Sequence, residues 1–412
     1  MTQAAAPSRP PLLTMAQALD ALLGAARPLA QAESTDTLEA NGRVLAAAVA
    51  STLRVPPADN TSMDGYALRA ADVPAAGTRL RVSQRIPAGH VGTALEPGTA
   101  ARIFTGGLIP PGADAVVMQE QCAADGEDVI VNHVPQSGEW VRRAGEDIEA
   151  GSVILPAGTR LTPQALGLAA SVGQAKLDVV RRVRVAVFFT GDELAMPGEP
   201  LKPGAIYNSN RFTLRGLLEN LGCEVSDFGI VPDTLAATRD TLRRAAQGHD
   251  LIITSGGVSV GEEDHIKPAV EAEGRLDMWQ IAIKPGKPLA FGQVGKGSAP
   301  AFFLGLPGNP VSSFVTFLLF VRPFILRLQG VADVAPRRLP LRADFALNKG
   351  DRRNEFLRAR INGEGGLDLF PNQSSGVLTS TVWGDGLIDN PPNQAIARGD
   401  IVQFIPFDGL LA

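Results

Sequence analysis

The sequence predicts a multidomain protein built on a doubly wound, mostly parallel α/β domain, with β domains inserted before it and appended after it. Three observations carry that expectation. Between residues 182 and 330, short apolar runs such as "VRVAVFF" and "DLIITSG" alternate with helical stretches, one carrying the stripe Leu214, Leu217, Leu218 and Leu221. That alternation is the pattern of a parallel sheet covered on both faces. From 51 to 150, and again from 331 to 412, short alternating strands are cut by Gly and Pro turns, the pattern of small all-β units. With 412 residues and 45% hydrophobic side chains, the chain can supply two to four domains with their own cores.

In chain order, Thr14 and Gln17 have capping-box spacing ahead of a helical face formed by Leu19, Leu22, Leu23 and Ala26. Asp36 and Glu39 repeat that spacing before "ANGRVLAAAVA", which predicts a second short helix. A further helix is expected around "TPQALGLAASVG". Residues 12–50 and 151–181 then form a discontinuous helical platform into which the β unit 51–150 is inserted. The α/β domain covers 182–330, and 331–412 is expected to close as a C-terminal β barrel or sandwich. The apolar run "FVTFLLFV" at 314–321 is only eight residues long before Arg322 and Pro323. It is too short to cross a bilayer and reads as a buried helix or an oligomer interface, so no membrane partner is expected.

Charge excludes other classes. The balance of 38 − 43 = −5 is scattered, with no basic block, so no nucleic-acid partner is expected. Cys122 and Cys223 lie far apart and the four histidines (His90, His133, His249, His265) never cluster, which argues against a disulfide framework or a zinc site. "MTQAAAPSRPPLL" lacks the apolar core of a signal peptide, and a cytoplasmic location is expected.

The chemistry concentrates at predicted strand ends, where ligands of doubly wound sheets sit. "DLIITSGGVSVGEEDH" (250–265) ends a strand in small residues, so that Ser255, Gly256, Gly257 and Ser259 let backbone amides approach an anion. The carboxylates behind them should repel that anion unless a cation intervenes. Glu262 and Glu263 serve equally well as helix caps, while Asp264 falls at or just before the helix that Pro268 starts. No Walker spacing is present. Other strand ends finish in comparable loops: "FFTGDEL", "VPDT", "IKPGKPLAFG" and "GLPGNPVS". Lys284 and Lys287, stiffened by neighbouring prolines, can neutralise an oxyanion. Glu193, Asp233 and Asp264 can hold a divalent cation against phosphate oxygens. Pro307, Asn309 and Pro310 form a stiff turn that aims a helix start, with Ser312, at the same crevice. Outside this domain, "PPADNTSMDGYALR" and "VRRAGEDIEAGS" read as polar hairpins, either surface turns or parts of a site.

Taken together and in order, "NTSMDGYAL", "IFTGGLIPPGADAVVMQE", "RRAGEDI", "PAGTRLTP", "FTGDEL", "TSGGVSVGEEDH", "IKPGKP" and "GLPGNPVS" resemble the molybdopterin molybdenumtransferase (MoeA) family, which includes the E domain of gephyrin. The resemblance spans nearly the whole chain. It implies a four-part subunit, a homodimer with shared active sites, and magnesium-dependent insertion of molybdenum from molybdate into adenylylated molybdopterin with release of AMP. It implies functional roles for Asp64, Thr105, Asp147, Glu193, Asp233 and Asp264, with Glu193 and Asp264 as magnesium ligands. Its oxyanion pocket would comprise Lys284, Lys287, Pro288, Ser312, Arg358 and Ser375. Protein partners implied are the adenylyltransferase that makes the substrate and the proteins that accept the cofactor. Gln280 stands where many relatives carry a basic residue, and "PNQSSGVLTS" follows the family loosely. Two alternatives are a non-catalytic dimeric scaffold of the gephyrin type and the adenylyltransferase itself. The latter lacks the segments holding "NTSMDGYA" and "RRAGEDI".

Overall fold

A computed structural model describes residues 12–258, 265–295, 297 and 300–411. Ser259, Glu262, Glu263 and Asp264 fall outside the described residues. The chain divides into two compact units, one of 1–33, 42–46 and 178–412, the other of 34–41 and 47–177.

The first unit is organised by a six-stranded sheet in the order Glu224–Val231, Arg184–Thr190, Leu251–Ser255, Ala301–Leu306, Pro288–Val294, Gly274–Gln280. The first four strands are parallel to one another, and the last two are added through antiparallel pairings. All five residues of Leu251–Ser255 are buried, as expected for a strand covered on both faces. Val185, Val187 and Phe189 pack on one side against Leu214, Leu217 and Leu218 of helix Ser209–Asn220 and against the long helix Pro310–Leu328. Ala186 and Phe188 face the other side, under Leu242 of Leu235–Ala245 and Val270 of Ile266–Glu273. The N-terminal helix Met15–Ala25 buries Ala18 and Leu22 in the first of these cores, and its Thr14–Gln17 capping box is formed.

Pro310–Leu328 runs on through Arg322 and Pro323, past the end of the apolar run. The five residues Phe317–Val321 adopt a π-helical turn just before the proline, which relieves the ring's clash with the preceding turn. It is long and apolar enough to cross a membrane, yet 94% of its most apolar window is buried inside the protein.

The C-terminal part forms a second sheet, in the order Ile283–Lys284, Asn354–Ile361, Gly386–Asn390, Ile401–Pro406, Leu339–Arg342, with Leu367–Leu369 pairing to Asn354–Ile361. Its edge strand is donated by the α/β domain: Ile283 and Lys284 lie parallel to Asn354 and Glu355.

In the second unit, six strands follow the order Ala115–Met118, Gly65–Leu68, Thr99–Ile103, Thr78–Ile86, Asp128–Val131, Cys122–Asp125. Leu68, Leu80, Val117 and Val129 pack on one side, and Ala67, Ile86, Ile103 and Val116 on the other. Helix Pro163–Ser171 is present, with Thr162 capping it. The second short helix expected after Asp36 is absent. Thr37–Glu39 makes a single 3₁₀ turn without a side-chain cap, and Gly42 at φ 74° turns the chain out of helical geometry.

Candidate functional site

All four parallel strands of the α/β sheet end at one cleft of about 850 Å³. Its wall takes Thr190, Gly191 and Glu193 from the end of Arg184–Thr190, Asp233 from that of Glu224–Val231, Ser255 to Val258 from that of Leu251–Ser255, and Pro307 to Pro310 from that of Ala301–Leu306. Lys284 to Pro288, Ser312, Arg353 and Gln373 to Ser375 complete it. Of the residues singled out in the sequence, the structure thus brings together Glu193, Asp233, Ser255, Gly256, Gly257, Lys284, Lys287, Pro288, Pro307, Asn309, Pro310, Ser312 and Ser375.

The loops are locked to one another by buried polar contacts. Asn210, in the first turn of Ser209–Asn220, donates from Nδ2 to Ser255 Oγ (2.8 Å) and to the Gly308 carbonyl (2.7 Å). Ser255 Oγ donates to the Pro307 carbonyl (2.9 Å). Gly256 adopts φ 98°, and its amide donates to the Leu306 carbonyl at 3.1 Å, so this amide is committed to the loop instead of standing free for an anion. A side chain here would meet the Thr190 carbonyl at 2.8 Å. The Val311 amide donates to the Ser375 carbonyl (3.0 Å) and ties the Gln373–Ser375 loop to the helix start. Asn208 caps the neighbouring helix through its oxygen, which accepts from the Arg211 amide at 3.1 Å. Its Nδ2 is buried and has no partner among the described residues, leaving a donor for a ligand.

The cations are arranged unequally. Lys284 Nζ lies 3.0 Å from Glu355 Oε1 and 3.4 Å from Asp351 Oδ2. Arg353 forks onto Asp351 at 2.9 and 3.0 Å. The Arg353 guanidinium and the Arg353 backbone amide, with Lys284, hold the Asp351 carboxyl far below the usual carboxylate range.

Arg358 does not line the cleft. It is 1% exposed, and its guanidinium donates to Ser380 Oγ (3.1 Å), the Phe356 carbonyl (3.2 Å) and the Ser374 carbonyl (3.4 Å), so it supports the Ser374 loop from behind. Burial lowers it to about 10. The cation that reaches the cleft here is Arg353, five residues earlier and just ahead of the strand, a position that no motif in the sequence marks. Asn208, Asn210 and Gln373 were missed as well. For Asn208 the available signal was its N-cap position before the Leu214 stripe.

Asp64, Thr105 and Asp147 belong to the second unit. Asp64 accepts hydrogen bonds from the Thr105 amide and hydroxyl, both 2.7 Å, which lower its pKa below the usual aspartate value, helped by Arg102. The two polar hairpins meet there: Asp59 accepts from Arg143 (2.6 Å) and from the Ala144 amide (2.8 Å), and Val141 pairs with Thr61. Asp147 is exposed, its amide held by the Val55 carbonyl at 2.9 Å.

A polar cleft at the carboxyl ends of a doubly wound sheet, with fixed cations and carboxylates on its wall, defines a protein that handles a small anionic ligand. Residues 13–173 match the MoeA N-terminal region (domain I and II), 186–327 a probable molybdopterin binding domain, and 338–407 the MoeA C-terminal region (domain IV). The chain is 40% identical over 408 residues to the molybdopterin molybdenumtransferase of Haemophilus influenzae, covering 97% of this chain and 100% of that protein. It is 39% identical over 345 residues to the Nostoc enzyme of the same name, covering 82% and 79%. A crystal structure of the molybdopterin biosynthesis MoeA protein of Pyrococcus horikoshii matches with a TM-score of 0.83 at 29% identity, over 96% of this chain and 100% of that one. The chain belongs to the MoeA family.

Proposed function

We propose that this chain inserts molybdenum from molybdate into adenylylated molybdopterin and releases AMP. The observation that supports this most is the convergence of four parallel strand ends and the "KPGKP" turn on one cleft, in a chain that matches this family from end to end. The reaction needs fixed donors for an oxyanion, space for a pyrophosphate, and charge compensation where that pyrophosphate is cleaved.

Each need has residues of the right type. Lys287 and Arg353, with Lys284 between carboxylates, present donors to a tetrahedral oxyanion. The Gly256–Gly257 turn keeps the space over the third strand open, and Asn208 Nδ2 offers a further donor. No three metal-ligating side chains converge among the described residues. Magnesium, however, is commonly held by one or two carboxylates plus substrate phosphates, and the oxygen donors Glu193 and Asp233 on the wall fit that demand. When bound there, the ion would neutralise pyrophosphate oxygens. The homodimer with shared sites is part of the same reading, with Asp64, Thr105 and Asp147 supplied by the partner. So are the ligand-binding roles of Asp264 and Ser259, the cytoplasmic location, and exchange with the adenylyltransferase and cofactor-accepting proteins.

The test is AMP release from adenylylated molybdopterin by the purified chain, with and without molybdate and magnesium, for the native protein and Glu193→Gln. Molybdate-dependent release is expected, falling by orders of magnitude in the amide variant at unchanged melting temperature and partly restored by raised magnesium. No release by the native chain would overturn the activity; full release by Glu193→Gln would overturn the carboxylate's role.

A further inference from the structure

The cations on the cleft wall carry less net charge than their number suggests. Three of them, Lys284, Lys287 and Arg353, line the cleft. Two carboxylates stand directly behind. Glu355 is 4% exposed and is the register partner of Lys284 across the short parallel pairing of Ile283–Lys284 with Asn354–Ile361. Its Oε1 takes Lys284 Nζ at 3.0 Å, while Oε2 takes the Asp351 amide at 2.9 Å. Asp351 in turn touches Lys284 at 3.4 Å and holds Arg353 through both of its oxygens. The result is one connected chain, Glu355, Lys284, Asp351, Arg353, in which two positive and two negative groups cancel. Over these five groups the balance is 3 − 2 = +1, and Glu193 and Asp233 elsewhere on the wall lower it further.

We infer that Glu355, acting with Asp351, is a positioning residue that sets the anion selectivity of the cleft by holding Lys284 and Arg353 in place as charge-compensated donors. This rests on reading the cleft as the molybdate site. A wall carrying three uncompensated cations would attract every tetrahedral dianion strongly, because Coulomb attraction is indifferent to what lies at the centre of the tetrahedron. Sulfate and molybdate carry the same charge and differ in size. With the charges cancelled, affinity depends on how well fixed N–H groups meet the oxygens, and that term does distinguish the two. The same carboxylates restrain the long Lys284 and Arg353 side chains, so the donors meet the ligand already ordered.

The test compares binding of inorganic molybdate and inorganic sulfate by calorimetry to the full chain and to Glu355→Gln, Glu355→Asp and Asp351→Asn, alongside melting temperatures and the molybdate KM and kcat. Removing one negative charge while keeping the side chain's shape should tighten sulfate binding at least about tenfold in Glu355→Gln. Molybdate shares that charge gain but loses the fit to donors that Glu355 holds in place through Lys284, so the preference for molybdate falls and sulfate becomes an effective competitive inhibitor. Glu355→Asp keeps the charge and should keep the native preference. Asp351→Asn, at a more exposed position, should shift selectivity in the same direction as Glu355→Gln and provides the test if the buried variant does not fold. A native preference that persists in both amide variants, or a fall in affinity for both anions in parallel with melting temperature, overturns the inference. A native chain that binds neither anion overturns the underlying reading of the cleft instead.

Discussion

Asn210 offers the sharpest check on how the cleft is held together. The side chain is 9% exposed and its single amide nitrogen serves two loops, Ser255 Oγ at 2.8 Å and the Gly308 carbonyl at 2.7 Å. Replacing it with alanine removes both donors. Ser255 keeps its own bond to the Pro307 carbonyl, so that half of the loss is an ordinary hydrogen bond of about 1 kcal/mol. The Gly308 carbonyl belongs to an exposed residue and can accept from water instead, so this half is again an ordinary hydrogen bond of about 1 kcal/mol. The total is about 2 kcal/mol, or roughly 4 °C in melting temperature for a unit of this size. Two of the four strand ends would also separate, and the KM for adenylylated molybdopterin should rise about tenfold or more. Scanning calorimetry of Asn210→Ala, with steady-state AMP release on the same preparation, measures both. A melting temperature within 1 °C of native and an unchanged KM would refute the account of Asn210 as the tie between these loops.

A methyl group should act oppositely at two glycines. Gly256→Ala, at φ 98° with the Thr190 carbonyl 2.8 Å from the added carbon, should lose about 2 kcal/mol or more and nearly all AMP release. Gly24→Ala, in the exposed end of helix Met15–Ala25 with nothing within 4 Å, should gain up to about 1 kcal/mol, and equal shifts in thermal denaturation would contradict both assignments. Glu273 accepts from Arg243 and Arg239, which pull its carboxyl down to about 2 from the ordinary 4.5. Because the folded value is the lower one, its stabilisation is fully present above about pH 4.5 and fades as pH falls towards 2. Native protein and Glu273→Gln should therefore differ in melting temperature at pH 6 and converge near pH 2. Parallel curves across that window would show that the arginines contribute nothing through this charge.

The strand-end loops were legible in the sequence because a buried parallel strand leaves a local signature. "LIITS" is apolar until the chain reaches the rim, where it changes abruptly to "GG", and only small or fixed residues fit so close to three neighbouring loops. The same contrast marks "FFTG" and "FLGLPG". The helix expected after Asp36 failed for a similarly local reason that the capping pattern conceals: an Asn-Gly pair follows one turn later, and Gly42 takes a left-handed turn in place of helix continuation. Capping spacing states where a helix can start, and says nothing about whether the next turn is propagated.

The misplacement of Arg358 has a different origin, and it shows where local reading ends. In a half-buried strand the alternation of exposed and buried residues would reveal which arginine of "RRNEFLRAR" points outward. Here Glu355 to Ala359 are all buried, so the alternation is erased, and Arg358 enters as a site residue through the family resemblance alone. What selects Arg353 is its position just before Asn354–Ile361, where the chain leaves the sheet beside the cleft and Asp351 can hold it. The pairing of Ile283–Lys284 with Asn354 and Glu355 is equally invisible in one dimension, since those partners lie 71 residues apart. That register decides whether Lys284 faces the ligand as a bare cation or as a compensated donor. The motif "IKPGKP" therefore specifies that a cation is present, and the sheet that captures its first two residues specifies how much of its charge a ligand meets.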